Sequence, residues 1–189
     1  MKRSLLALTL AAALPFAAAH AAEGVSYNYV EGGYSATNQD ADADGFGANA
    51  SVAFHPNFHA FGGYHNQEID DSNIDFDQWR VGIGYNHEIS PRADLVTRIA
   101  YEKYDFGRIG GQRLDPDGYS AEVGVRGALT TNLEGYAMAG YEDYGSDYGD
   151  DFYGRLGAQV KFTPNWGVSG DVKFAGGDTQ WFVGPRFTW

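Results

Sequence analysis

The last ten residues, Gln180 to Trp189, alternate in character. Trp181, Val183, Pro185, Phe187 and Trp189 fall on one side, and Gln180, Gly184, Arg186 and Thr188 on the other, with Phe182 the one large side chain in the polar set. A repeat of two marks an extended strand, whose successive side chains point to opposite faces. One face of this strand is aromatic and aliphatic along its whole length, so it needs an apolar surrounding over that length.

The same alternation recurs upstream. Phe46, Ala48, Ala50, Val52 and Phe54 form one apolar face; Trp79, Val81, Ile83 and Tyr85 another; Leu95, Thr97, Ile99 and Tyr101 a third; Tyr119, Ala121, Val123 and Val125 a fourth; and Gly154, Leu156, Ala158, Val160 and Phe162 a fifth. A first strand is expected over about Val25 to Ala36, with two registers open: Val30, Gly32 and Tyr34 outward, or Tyr27 and Tyr29 outward. Short turns centred near Pro56, Pro91, Thr131 and Pro164 alternate with longer loops at 38–45, 68–77, 105–117, 143–151 and 175–179. Strands of about ten residues, tilted, cross a bilayer, and short turns at one end with longer loops at the other are the bacterial outer-membrane arrangement. The expectation is an all-β, transmembrane, antiparallel up-and-down β-barrel of ten strands, or eight if one hairpin is misread.

Such a barrel must keep charge off its lipid face, where one charged group at the midplane costs roughly 2–4 kcal/mol. Arg80, Glu88, Asp94, Arg98, Glu102, Glu122, Arg126, Glu134, Glu142, Arg155, Lys161, Asp171, Lys173 and Arg186 all oppose the apolar register, and only Lys103, at a strand end, shares it. With Glu31 these groups are nearly balanced in sign. A lumen packed with ion pairs follows, because a barrel of about eight strands is just filled by its side chains. A narrow ion or solute channel is the alternative.

At the other end of the chain, Lys2 and Arg3 precede an apolar run to Phe16 and the small-residue site Ala19-His20-Ala21. This reads as a secretory signal peptide over residues 1–21, leaving 22–189 as the barrel; a second cleavage site follows Ala19. Cysteine is absent, so disulfides and thiolate metal sites are excluded. Losing Lys2 and Arg3 makes the net charge of −12 two units more negative. Nucleic acid is a poor partner for such a chain. The acids outside the lumen collect in the long loops, against Arg108 and Arg113 there, and the rim should attract calcium, magnesium and cationic peptides or surfaces. Trp79 and Trp181 at one interface, and Trp166 and Trp189 at the other, suit bilayer belts.

Asp40, Asp42 and Asp44, followed by Gly45, reproduce the first half of a calcium loop, but its twelfth position is Ser51 instead of glutamate. A solvated acidic loop with at most loosely held calcium or magnesium is the plainer reading, and no other cofactor is expected. Arg108 to Arg113 reads as a local ion-pair cluster. An enzyme would have to rest on His65, placed near the loop rim beside Glu68, Asp70 and Asp71. One general base without a defined partner does not make a catalytic site, so the chain is read as non-enzymatic.

The closing strand resembles that of bacterial outer-membrane barrels, which implies that Trp181, Val183, Phe187 and Trp189 are read by the barrel-assembly machinery. The block from Ala22 to Tyr34, followed by an Asp-rich loop, resembles a family of small outer-membrane proteins of plant-associated gammaproteobacteria. That family was once proposed to supply secreted quorum-sensing signals and elicitors of plant immunity. The resemblance implies an outer-membrane location among lipid and lipopolysaccharide, release in vesicles, a host partner, and sulfation of the tyrosine at Tyr27. The functions to weigh are envelope integrity, surface interaction or vesicle-borne signalling, with the channel and the secreted elicitor as alternatives.

Overall fold

A computed structural model describes residues 21–189 except 39–41, 71, 73, 110–111 and 146–147; the expected leader, apart from Ala21, and Asp40 lie outside the described residues. The strands are β1 (Tyr29–Asn38), β2 (Ala43–His55), β3 (Phe58–Ile69), β4 (Asp75–Ser90), β5 (Ala93–Asp105), β6 (Arg108–Ile109), β7 (Gln112–Arg113), β8 (Asp117–Ala128), β9 (Leu133–Asp143), β10 (Asp150–Lys161), β11 (Trp166–Ala175) and β12 (Asp178–Thr188). All but β6 and β7 form one closed antiparallel barrel of ten strands, in which β12 pairs back onto β1. Closure leaves no unpaired edge, the condition for placing strands in lipid.

Alternation sorts the side chains between two environments. Val30, Tyr34, Phe46, Val81, Ile83, Ile99, Val123, Leu156, Val160, Trp181 and Val183 are exposed on the outer wall, whereas Glu31, Ser51, Arg98, Glu122, Arg126, Ser169, Lys173 and Arg186 are buried inside. The open register of β1 is thereby resolved, with Val30, Gly32 and Tyr34 outward and Tyr29 and Glu31 inward. Aromatic rings cluster at both ends of the wall. Tyr64 packs on Trp79 at a centroid separation of 4.6 Å and Tyr101 on Tyr119 at 5.6 Å near the loop mouth. Trp166 packs on Phe187 at 5.0 Å near the turn mouth. Rings at two levels flanking an aliphatic band are what two bilayer interfaces select.

Two of the short turns share one construction. In Leu129–Leu133 and Phe162–Trp166 the first residue's N–H bonds to the last residue's carbonyl, and Thr130 or Thr163 accepts a backbone N–H with its hydroxyl. In these two turns and in the β2–β3 turn an asparagine makes the tether to the neighbouring strand: Asn57 Nδ2 donates to Asn86 O at 2.9 Å, Asn132 Nδ2 to Lys161 O at 3.3 Å, and Asn165 Nδ2 to Thr188 O at 2.7 Å. Asn and Thr favour such turns because their side chains replace a backbone partner.

Three expectations are corrected. The first strand starts at Tyr29, not Val25, and residues 22–28 turn into the barrel mouth. Several strands run beyond the membrane-facing wall, so the β11–β12 connection is only Gly176-Gly177, both with positive φ, and the longest loop contains the β6–β7 hairpin. Glu88 is exposed rather than within the lumen, because β4 overshoots the turn mouth and its pairing with β5 shifts register between Glu88 and Ser90.

Candidate functional site

The lumen gathers a set of charged side chains inside the barrel. Its charged side chains arise on eight strands by the same period-two rule that keeps them off the outer wall. Without Glu88, seven acids (Glu31, Asp94, Glu102, Glu122, Glu134, Glu142 and Asp171) face seven bases (Arg80, Arg98, Arg126, Arg155, Lys161, Lys173 and Arg186).

All but Asp94 pair, in three tiers. Nearest the loops, Lys173 Nζ meets Glu142 at 2.5 Å, and Tyr144 OH donates to Glu102 at 3.2 Å and to Glu142 at 3.3 Å. In the middle, Arg80 spans Glu102 at 3.1 Å and Glu122 at 3.3 Å, and Arg98 reaches Glu122 at 3.3 Å. Both guanidinium groups stand over the Phe61 ring, 5.2 Å from its centre. Beside them Arg155 meets Asp171 at 3.6 Å, Tyr136 donates to the same Asp171, and Arg186 meets Glu31 at 2.5 Å. Nearest the turns, Glu134 takes both Arg126 at 2.5 Å and Lys161 at 3.3 Å. Charges withdrawn from water need this degree of pairing. The cavity left among Arg80, Arg155, Asp171, His65 and Arg186 is only about 80 Å³.

The turn mouth is closed by the segment ahead of β1. Tyr27 is buried, stacked on His59 at 4.4 Å and under the Arg126 guanidinium at 4.7 Å, and its hydroxyl donates to Asp94 at 2.9 Å. Arg126 Nη2 donates to Ser26 O at 2.9 Å, Lys161 Nζ to Gly24 O, and Glu23 N to Pro91 O at 2.8 Å. Ala22, Val25 and Tyr27 join Ala53, Val96 and Met138 in a small apolar core. Sequence reading missed this seal because Tyr27 and Tyr29 alternate as a strand would.

At the loop mouth a vestibule of about 420 Å³ is lined by Phe76, Tyr104, Phe106, Tyr144, Glu142, Asp150 and Asp151 among others. Phe76 stacks on Phe106 at 5.0 Å and Tyr104 meets Tyr144 edge-on at 5.6 Å. Tyr104 OH accepts from Gln78 at 2.9 Å and Gln180 at 3.3 Å, which makes its floor. Burial pushes the Tyr144 phenol well above its ordinary range, so it stays a donor.

The other singled-out residues fall as follows. Asp44 lies on β2, exposed, and Asp42 accepts from Asn38 at 3.1 Å. The extended backbone from Ala43 onward carries Gly45 into the sheet, so it does not coil as a calcium loop does. Among the described residues no three His, Asp or Glu side chains converge as metal ligands. His65 is not at the rim: it points into the lumen, 2.7 Å from Ser35 Oγ and 3.1 Å from Asn49 Oδ1, with Phe182 edge-on at 5.8 Å. Arg113 pairs with Asp105 at 2.8 Å and Asp115 at 3.3 Å, and Lys103 joins Asp115 at 3.1 Å. Trp181 and Val183 are exposed on the outer wall, and Phe187 stacks on Trp189 at 6.1 Å.

No protein-family model and no curated protein matches this chain. Solved structures do resemble it. The KdgM porin is 13% identical, with 85% of this chain and 99% of that chain covered and a TM-score of 0.47. The N-terminal β-barrel domain of Pseudomonas aeruginosa OprF is 13% identical, with 86% and 98% covered and a TM-score of 0.48. The NanC porin is 8% identical, with 87% and 100% covered and a TM-score of 0.45. At such identities the likeness concerns the shape of the barrel and not what it does.

Proposed function

We propose that this chain is an outer-membrane barrel that does not conduct, and that meets its partners at the acidic, aromatic-lined loop mouth. The observation that carries the reading is the continuity of the seal: three tiers of buried ion pairs fill the lumen, and residues 22–28 occupy its turn mouth. A water-filled pore needs charged groups that face solvent, whereas these face each other. The outer wall, with an aliphatic band between aromatic rings, supports residence in lipid. The Asp-rich loops and the vestibule of Phe76, Tyr104, Phe106 and Tyr144 suit a cationic partner, since carboxylates and aromatic faces both attract positive charge. Surface interaction is thus favoured over transport, with envelope integrity a consequence of the rigid, closed body.

The test is planar-bilayer conductance of refolded protein whose heat-modifiable mobility and strand-type circular dichroism show a folded barrel. A folded barrel that gives no current steps supports the reading. Reproducible ion-selective steps overturn it and make Arg80, Arg98, Glu122 and Arg155 the residues that set selectivity.

A further inference from the structure

We propose that the leader is removed after Ala21 and that the freed α-ammonium of Ala22 forms a buried ion pair with Asp94, so that maturation itself supplies the cation that locks the N-terminal segment into the turn mouth.

Asp94 is fully buried, yet it has no basic side chain as an ion-pair partner among the described residues, while Glu134 has two. Its carboxylate is instead met by the Ala22 nitrogen, 3.2 Å from Oδ1 and 3.3 Å from Oδ2, and by the Tyr27 hydroxyl. Arg126, opposite Asp94 in the β5–β8 pairing, is committed to Glu134 and to the Ser26 carbonyl. A buried carboxylate without a cation is costly. A backbone nitrogen centred on both of its oxygens stands where an ammonium would satisfy it. The residue bearing that nitrogen is the one that follows the small-residue site Ala19-His20-Ala21. Hydrolysis of the Ala21–Ala22 bond by a signal peptidase adds one water, leaving a carboxylate on Ala21 and, after protonation, an ammonium on Ala22. The bond is cut while the exported chain is still unfolded; burial follows. Cleavage after Ala19 would leave two residues ahead of Ala22 and no charge at this position.

The experiment begins with the mass and N-terminal sequence of the protein purified from outer membranes, followed by labelling of its α-amine with a succinimidyl ester. A chain starting at Ala22 is expected, with labelling at pH 7 slowed about tenfold in the folded barrel relative to urea-unfolded protein, because an ammonium held by a carboxylate stays protonated and cannot attack the ester. Placing Gly-Ser ahead of Ala22, or substituting Asp94→Asn, should make residues 22–28 sensitive to proteinase K, and the extension should add nothing in the Asp94→Asn background. A chain starting at His20, equal labelling of folded and unfolded protein, or an extension without effect would overturn the proposal. If Asp94→Asn does not fold, the extended chain and the labelling of unmutated protein decide it. Current steps in the bilayer would remove the proposed non-conducting function and leave this pair standing.

Discussion

Glu31 and Arg186 face each other across the seam where the last strand closes onto the first, and Arg186 Nε lies 2.5 Å from Glu31 Oε2. The pair is buried and embedded: Asn49 donates to Glu31 at 3.1 Å, Ser169 to Glu31 at 2.6 Å, and Arg186 Nη1 reaches Gln159 at 3.5 Å. Losing one partner leaves an uncompensated charge, so Arg186→Met should lower stability by about 3–5 kcal/mol. Removing both charges (Glu31→Gln with Arg186→Met) should cost less, because no bare charge remains. Urea titration of tryptophan fluorescence in micelles would rank the variants, and a double substitution worse than Arg186→Met would contradict the account.

The same seam depends on glycine. A Cβ on Gly33 would collide with Val183 O and Gly184 Cα, and one on Gly184 with Gly32 O, all backbone atoms that cannot swing aside. Gly33→Ala and Gly184→Ala should each cost about 1–3 kcal/mol, as overpacking does. Gly154, on the outer wall, has open space at its Cβ position, so Gly154→Ala is the matched control and should be near neutral. Equal refolding yields and equal urea midpoints for all three would refute the seam argument.

The sorting of side chains between wall and lumen was legible in the sequence because lipid and a packed polar lumen impose opposite chemistry on alternate residues. The four short turns, carried by Pro56, Pro91, Thr131 and Pro164, were legible for the same reason that fixes their backbone. What was not legible lies where that contrast fades. Above the membrane both faces of a strand are polar, so β9 and β10 run to Asp143 and from Asp150 where a loop was expected. At the turn mouth a register shift exposes Glu88. Periodicity likewise assigns His65 to the lumen face but not its depth, which depends on how far β3 extends.

Asp105 makes the loop hairpin sensitive to acid. The Gly107 N–H, at 2.9 Å, and Arg113 hold its carboxyl below the ordinary range. A carboxyl whose folded pKa is depressed contributes stability that is complete above the ordinary value, about 3.9, and is lost as pH falls through the lower folded value. The Gly107 amide shift should therefore titrate below the ordinary carboxylate midpoint, and Arg113→Ala should move that midpoint upward. A midpoint unchanged by Arg113→Ala would show that the ion pair has no hold on the loop.

Tyr27, the tyrosine at which sulfation is expected from the N-terminal block, is buried in the barrel mouth. Its ring packs between His59 and Arg126, and its hydroxyl is one of the donors to Asp94. Tyr27→Phe keeps the packing and removes a donor from a buried carboxylate, a loss of about 1–3 kcal/mol. Tyr27→Ala also empties the ring's volume and should cost about 3–5 kcal/mol. A sulfate on the same oxygen would be buried against the Asp94 carboxylate, so the folded barrel should resist tyrosine sulfotransferase while a peptide covering residues 22–34 accepts the group. Mass spectrometry after treating both with the enzyme separates the cases. Sulfate on Tyr27 of a barrel that stays folded would mean that residues 22–28 leave the mouth in solution, and the closed turn mouth would have to be abandoned.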